Sequence, residues 1–403
     1  MISIKEKKDC CGCSACVQKC PKHCITLTED EEGFLYPKVD TLVCINCGLC
    51  EKVCPWLNQP EKIQPQEVLA VKNRNEEERM ASSSGGVFIA LAKKILEKGG
   101  VVFGAVFDEN WEVKHTYAET LDGVRLMMGS KYVQSRIGNS YNEAEHFLKE
   151  GREVFFTGTP CQVTGLHKFL RKDYPNLLSV DFLCHGVPSP GVWRRYLDEI
   201  FARSARRAAA GKNTVLSSSL KSVPVITGIE FRDKKLYGWK KYSFVVRGSA
   251  FKADKNSVLL SDIHKINPYM RGFLSDIYLR PSCYRCKCKN GVSHSDLTIA
   301  DFWGLMMSDI DDDKGLGMVI INTDKGREVF GTLDMEVSRS TLETAKRFNG
   351  GFKESIKEHS NRKLFYKKLS KGISVESAVN MVLHVSVCKR VCNKIKRIIK
   401  KFI

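Results

Sequence analysis

The chain carries one cysteine pattern twice. Cys10, Cys13, Cys16 and Cys20 precede Pro21, and Cys44, Cys47, Cys50 and Cys54 precede Pro55. Each run is C-x2-C-x2-C-x3-C-P, which sets soft thiolates on a tight loop just before the chain turns into a helix. In this spacing three thiolates hold one [4Fe-4S] cube and the fourth crosses to its neighbour. Cys10, Cys13, Cys16 and Cys54 are therefore expected to hold one cluster, and Cys44, Cys47, Cys50 and Cys20 the second. Gly12 and Gly48 are expected at equivalent places in the two loops, where a missing side chain lets backbone amides approach cluster sulfides. Structural zinc also uses C-x2-C pairs, but it has no need of a third and fourth cysteine followed by proline, twice over. Cys11 and Cys24 fall outside the pattern and are expected to be loop or packing residues.

A cluster pair moves single electrons and transforms no substrate, so the rest of the 403 residues must explain its presence. At 43% hydrophobic residues the chain has material for two or three packed domains. Its seventeen cysteines could suggest disulfides, but a long chain opening MISIKEKKDCCGC, charged and without an apolar export core, points to the cytoplasm. No uncharged stretch reaches the roughly 18 residues of a membrane span. The net charge of +18 is uneven: residues 389–403 hold seven basic residues and no acid.

The expected order is a ferredoxin-type domain over 1–60, an α/β domain in two parts over 66–150 and 151–315, and a helical extension over 316–403. Residues 57–67 read as a linker. Ser82-Ser83-Ser84-Gly85-Gly86 leads into VFIALAKKILEK, an amphipathic helix closed by Gly99, and GVVFGAVFD follows as a buried strand. EVFFT is a strand ending at Gly158, with Thr159 placed to cap a helix and Pro160 in its first turn. LLSVDFLC is the next strand, and Ser189-Pro190 repeats the cap. Strand, helix, strand, helix predicts a mostly parallel sheet with right-handed crossovers, and puts Cys161 and Cys184 at carboxyl ends of strands, the ligand-binding edge. Residues 203–223 are of low complexity, ITGIEFRD and KKYSFVVRG fit a hairpin, and Cys283, Cys286 and Cys288 precede a further strand, DLTIADFWG. Residues 376–403 place Val391, Ile395, Ile398 and Phe402 on one face of a basic helix, suited equally to an anionic membrane surface or to docking on protein. Cys388 and Cys392 there are expected to be small buried apolar residues.

Taken in order, the ferredoxin repeat, SSSGG, GSKYVQS, TGTPCQ, DFLCHGVPSP, CYRC and ADFWG resemble the family of coenzyme F420 hydrogenase/dehydrogenase beta subunits from about residue 8 to 310. That family includes deazaflavin-oxidising subunits of hydrogenases and formate dehydrogenases, plastid chlorophyll-pathway reductases, and bacterial members from polysaccharide-biosynthesis loci. The resemblance implies an FAD-containing domain served by [4Fe-4S] clusters. It makes Ser82, Ser84, Gly85 and Gly86 candidates for the flavin phosphates, in line with the anion affinity of a glycine-rich helix N-terminus. Lys131, Tyr132 and Gln134 form a second candidate strip, and Gly158, Thr159 and Pro160 the turn beneath the cofactor or a cluster. Cys161, Cys184, Cys283 and Cys286 are either ligands of a third [4Fe-4S] cluster or scattered thiols, and Cys288 could replace one of them. His185 either satisfies a carbonyl or shuttles a proton. No catalytic residue is singled out.

No G-x-G-x-x-G follows a strand and no Walker A lysine is present, which disfavours Rossmann-type NAD binding and ATP chemistry. The basic tail is aliphatic rather than interleaved with aromatics, unlike a nucleic-acid surface. The expected function is an iron–sulfur flavoprotein oxidoreductase, exchanging electrons with ferredoxin or a partner subunit and hydride with a deazaflavin or other organic acceptor. The alternatives are a non-catalytic relay subunit, and a membrane-peripheral scaffold recruited by residues 376–403.

Overall fold

A computed structural model describes residues 1–210, 225–249, 257–303, 310–352 and 354–383. The basic tail from 384 onward, with Cys388 and Cys392, lies outside the described residues, as does the low-complexity stretch after residue 210.

Each cysteine loop runs into one short helix, Ala15–Gln18 (α1) and Leu49–Lys52 (α2), and between them Ile25–Glu29 (β1) and Leu35–Val39 (β2) form an antiparallel hairpin. The chain then enters a large sheet with Glu67–Asn73 (β3), whose residues from Val68 onward are all buried. Glu76–Ala81 (α3) leads through the serines to Val87–Glu97 (α4), which buries Val87, Ile89, Leu91, Ala92 and Ile95 at helical spacing. Gly86 caps α4 with φ +83°, and a Cβ on Gly85 would stand 2.4 Å from the Val71 carbonyl oxygen. Only glycine lets the helix start this close to the sheet.

Val101–Phe107 (β4), Val113–Ala118 (β5), Leu121–Met127 (α5), Ser140–Lys149 (α6), Val154–Gly158 (β6), Pro160–Leu170 (α7), Leu177–Phe182 (β7) and Pro190–Ala210 (α8) follow in the expected alternation. Val225–Asp233 (β8), Ser243–Ser249 (β9) and Ser257–Ile263 (β10) form a separate antiparallel sheet, so the expected hairpin gains a third strand. After Pro268–Leu274 (α9) the chain returns with Leu297–Asp301 (β11), Gly317–Ile321 (β12), Asp324–Gly331 (α10) and Met335–Ser340 (β13), and ends in Leu342–Phe348 (α11), Arg362–Leu369 (α12) and Val375–Leu383 (α13).

The main sheet has the order β13-β3-β12-β11-β7-β6-β4-β5. Its inner run β11-β7-β6-β4 is parallel, and antiparallel strands flank it on both sides. This is the α/β architecture expected of the strand–helix alternation. One boundary needs correction: β12 and β13 are sheet strands paired to β3, so residues 316–340 complete the α/β domain and the helical extension begins only at α11. Gly317–Ile321 is buried throughout because it lies between two other strands.

The hairpin is clamped to this body. Its turn glycine, Gly33, lies so close to Gly191 at the start of α8 that a Cβ on Gly33 would stand 2.4 Å from the Gly191 Cα. Ser189 Oγ donates to the Glu32 carbonyl, and the Glu32 carboxylate takes both arms of the Arg362 guanidinium from α12.

Candidate functional site

The two cysteine loops share a backbone solution. Gly12 and Asn46 are left-handed two residues after the first cysteine, and Ser14 and Gly48 are left-handed just before α1 and α2. Gly12 and Gly48 are therefore not equivalent, against the expectation from the sequence, but fill different positions of one repeated turn, because Asn46 and Ser14 take the left-handed conformation at the other two. Cys54 stands with the first triple. A Cys11 hydrogen bond favours the Cys13 thiolate, but burial and the neighbouring thiols Cys16 and Cys54 push its pKa up; burial, Cys10 and Cys54 do the same to Cys16. Cys20 instead lines a small cavity with Cys44, Cys47 and Cys50. Cys20 thus lies beside the second run and Cys54 beside the first, the placement that a crossed ligand set needs. Burial opposes the Cys20 thiolate, yet backbone amides of Cys24, Lys22 and His23 outweigh it and lower its pKa, as suits a ligand sulfur. Cys24, expected only to pack, is a fifth thiol at this site, with its Sγ 3.4 Å from that of Cys20.

The third group assembles from the sheet edge. Cys161 opens α7 beyond β6 and Cys184 follows β7. Cys283 lies in the short 3-10 helix Pro281–Arg285, and Cys286 follows it. The Cys184 thiol is raised by burial and then by Cys283, Cys161 and Cys286, and the Cys283 thiol is raised to about 12 by burial and Cys286. Buried Cys288 stands close to Cys161 and Cys286 as well. Sequence spacing could not foresee Cys11, which is buried beside Cys13 of its own loop in a cluster that also packs Cys161 of the third group. Thiols crowded like this disfavour their own ionisation, and a bound cationic centre relieves that repulsion. Among the described residues no three metal-ligating side chains converge closely enough for a single ion. The donor chemistry, all sulfur with at least four thiols per group, suits iron–sulfur clusters.

The flavin candidates gather in part. Ser83 Oγ accepts from the Ser130 amide at 2.7 Å, which brings Ser82–Gly86 beside Lys131. Ser82 and Ser84 donate to the carbonyls of Glu78 and Leu316, so their hydroxyls brace the turn, and the amides at the start of α4 are what it offers a ligand. Lys131 Nζ is held by the carbonyls of Met127, Met128 and Gly129 at 3.1 to 3.3 Å, and burial pushes its pKa down to about 7. Tyr132 stacks on Phe273 with centroids 4.6 Å apart. Gln134 is committed elsewhere: its Nε2 donates to the Cys11 carbonyl at 3.1 Å. Gly158, Thr159 and Pro160 form the start of α7, where Gln162 Oε1 accepts the Thr159 amide at 2.9 Å. His185 meets a carboxylate rather than a backbone carbonyl, its Nε2 lying 2.6 Å from Asp276 Oδ1.

One strong feature of this corner was not read from the sequence. Lys234, 2% exposed, sends its ammonium to the carbonyls of Arg79 and Lys314, each at 2.7 Å, and burial with repulsion from Arg232 and Arg79 lowers its pKa to about 7. Arg232 pairs with Asp301 at 2.5 Å, and Trp239 stacks on Trp303 at 4.4 Å. Two lysines whose ammonium groups have no ion pair among the described residues thus flank the serine–glycine turn. The residues therefore fit an anionic, ring-bearing cofactor. A separate cavity of about 490 Å³ opens at the amino ends of β7 and β11, lined by His167, Lys168, Asp296 and Lys325, and holds no cysteine.

Residues 9–58 match the model of a 4Fe-4S dicluster domain, and residues 151–345 that of the carboxy-terminal region of the coenzyme F420 hydrogenase/dehydrogenase beta subunit. Just under half of the chain is thus similar to the carboxy-terminal region of this beta subunit. A polypeptide of the F(420)H(2) dehydrogenase of Methanosarcina mazei is 26% identical over 165 residues, covering 38% of this chain and 46% of that one. The coenzyme F420-dependent sulfite reductase of Methanocaldococcus jannaschii is 23% identical over 332 residues, 81% of this chain and 46% of that one. The chain spans about half the length of the curated relatives it matches. A solved structure of the F420-reducing [NiFe] hydrogenase complex from Methanosarcina barkeri, derivatised with xenon, aligns with a TM-score of 0.46 at 18% identity, over 78% of this chain and 96% of that chain. With its 4Fe-4S dicluster domain the chain is an iron–sulfur electron-transfer protein. Among its described residues no helix is long and apolar enough to cross a membrane.

Proposed function

We propose that the chain is an iron–sulfur flavoprotein oxidoreductase, working with ferredoxin or a partner redox subunit at one end and a deazaflavin or other organic acceptor at the other. The observation that carries this reading is the packing of the thiols: Cys11 and Cys13 share one buried cluster with Cys54 and Cys161, and Cys54 also packs against Cys16, Cys20 and Cys50, so the three groups adjoin one another in an array. That array begins at Cys47, the only exposed cysteine among the described residues, amid the exposed apolar side chains Leu42, Val43 and Ile45, where a partner can dock. It ends at Cys161, Cys184, Cys283 and Cys286, for which we propose a third [4Fe-4S] cluster. The amides of α4 with Lys131 and Lys234 would hold the phosphates of FAD, and Trp303 and Tyr132 would offer ring surfaces. A flavin bound there would supply the exchange between one-electron and hydride chemistry. Lys131 and Lys234, with pKa values of about 7 in the free chain, would be held protonated by a bound phosphate.

A relay subunit without flavin is the second reading, favoured by the carbonyl bonds that already engage Lys131 and Lys234. Iron, acid-labile sulfide and flavin per chain after anaerobic reconstitution decide between them. About eight irons with one FAD support the two-cluster flavoenzyme, and about twelve add the third site. Eight irons with no flavin, after FAD is offered, leave the relay.

A further inference from the structure

Between the first cysteine loop and the third thiol group lies a buried cation. Arg280, 1% exposed, immediately precedes the turn that carries Cys283. Its Nε donates to the Cys10 carbonyl at 2.7 Å, Nη1 to Gln134 Oε1 at 2.9 Å, and Nη2 to the Leu35 carbonyl at 2.8 Å, with Cys10 Sγ at 3.6 Å. The rings of Tyr36 and Phe34 lie 4.4 and 5.4 Å from the guanidinium carbon. Space for this fork comes from Gly12, where a Cβ would fall 2.8 Å from both Arg280 Nη1 and Gln134 Nε2.

These partners satisfy the donors but leave the charge uncompensated, because no carboxylate among the described residues pairs with Arg280. Burying a guanidinium that way is costly, and buried arginines usually have an anion. The nearest sulfur, Cys10 Sγ, belongs to the first cysteine run, so a thiolate-bound cluster there would supply the missing negative charge. A [4Fe-4S] centre gains one negative charge on reduction. A fixed cation and an N–H···S contact at one ligand favour that reduced state and raise the reduction potential.

We propose that Arg280 is a positioning residue that raises the potential of the cluster held by Cys10, Cys13, Cys16 and Cys54 above that of the outer cluster at Cys20, Cys44, Cys47 and Cys50. An electron then rests preferentially on the inner cluster, next to Cys161. The proposal rests on the cluster reading given above. It involves only the one-electron couple of each cluster, with dithionite as reductant in the test.

The test is an anaerobic redox titration of the reconstituted full chain followed by electron paramagnetic resonance, with Cys47→Ser used to assign the outer cluster. In Arg280→Gln the inner midpoint is expected to fall while the outer one stays, at unchanged iron content. Arg280→Lys, which keeps the charge and loses the fork, should recover most of the shift. Gln134→Glu covers the case in which Arg280→Gln fails to load iron: it puts a carboxylate against Nη1, leaves the arginine in place, and should lower the inner midpoint too. Loaded variants with an unmoved inner midpoint, or with both midpoints moved equally, overturn the role of Arg280. A wild-type chain that takes up no iron instead overturns the cluster reading beneath it.

Discussion

Asp181 shows how a single buried group makes this fold sensitive to pH. It lies in β7 between Gly158 of β6 and Thr298 of β11, 3% exposed, and burial raises its pKa to about 6 against hydrogen bonds from Ser293, Thr298 and Ser295. An unfolded aspartate titrates near about 3.9. Between about pH 4 and 6 the folded chain therefore keeps a proton that the unfolded chain has lost, and stability falls as pH rises through that window. Asp181→Asn is expected to raise the thermal midpoint more at pH 7 than at pH 5, and equal gains at both would contradict it. At this scale the eight repeat cysteines were legible because their spacing is local. Cys11, Arg280 and Lys234 were not, since their partners Cys161, Cys10 and Ser84 lie far along the chain and no spacing records the contact.

Where helices and strands meet, the Glu32–Arg362 pair is the joint most open to test. The side chains are 12% and 8% exposed, and the pair ties the hairpin to α12. Truncating one partner strands the other as a buried charge, so Glu32→Ala is expected to lose about 3 to 5 kcal/mol in denaturant unfolding. The double variant Glu32→Gln with Arg362→Met should lose markedly less, and equal losses would remove the ion pair as the cause. Periodicity found α4, β4, β6, α7 and β7, and the caps at Thr159 and Ser189 marked their helix starts. It failed at β12 and β13. GMVII is a readable buried strand, but in Met335–Ser340 only Met335 is buried and half-buried residues alternate with exposed ones after it, as in an edge strand, so it carries little apolar signal.

Across the whole molecule, the cysteine region and the α/β body share one core. Cys11 and Cys13 pack with Val53, Trp56, Tyr141, Val163 and Leu166, and a Cβ on Gly165 of α7 would stand 3.2 Å from Cys13 Sγ. Iron removal is accordingly expected to lower the thermal midpoint of the chain in one cooperative transition, because cluster binding adds to the stability of a core both parts share. Calorimetry of loaded and chelated chain checks this, and a separate early transition confined to the cysteine region would contradict it. Domain order was visible in composition and motif order, but this fusion was not, since a linker of two prolines reads as a hinge. The contact of Gly33 with Gly191 closes that hinge: two backbones touch where any side chain would wedge them apart. Whatever passes between the thiol groups crosses a fixed gap and rides on no swinging arm. Internal transfer should then keep its pace in glycerol, unslowed by a thicker medium, and stopped-flow reduction across a viscosity series would show it.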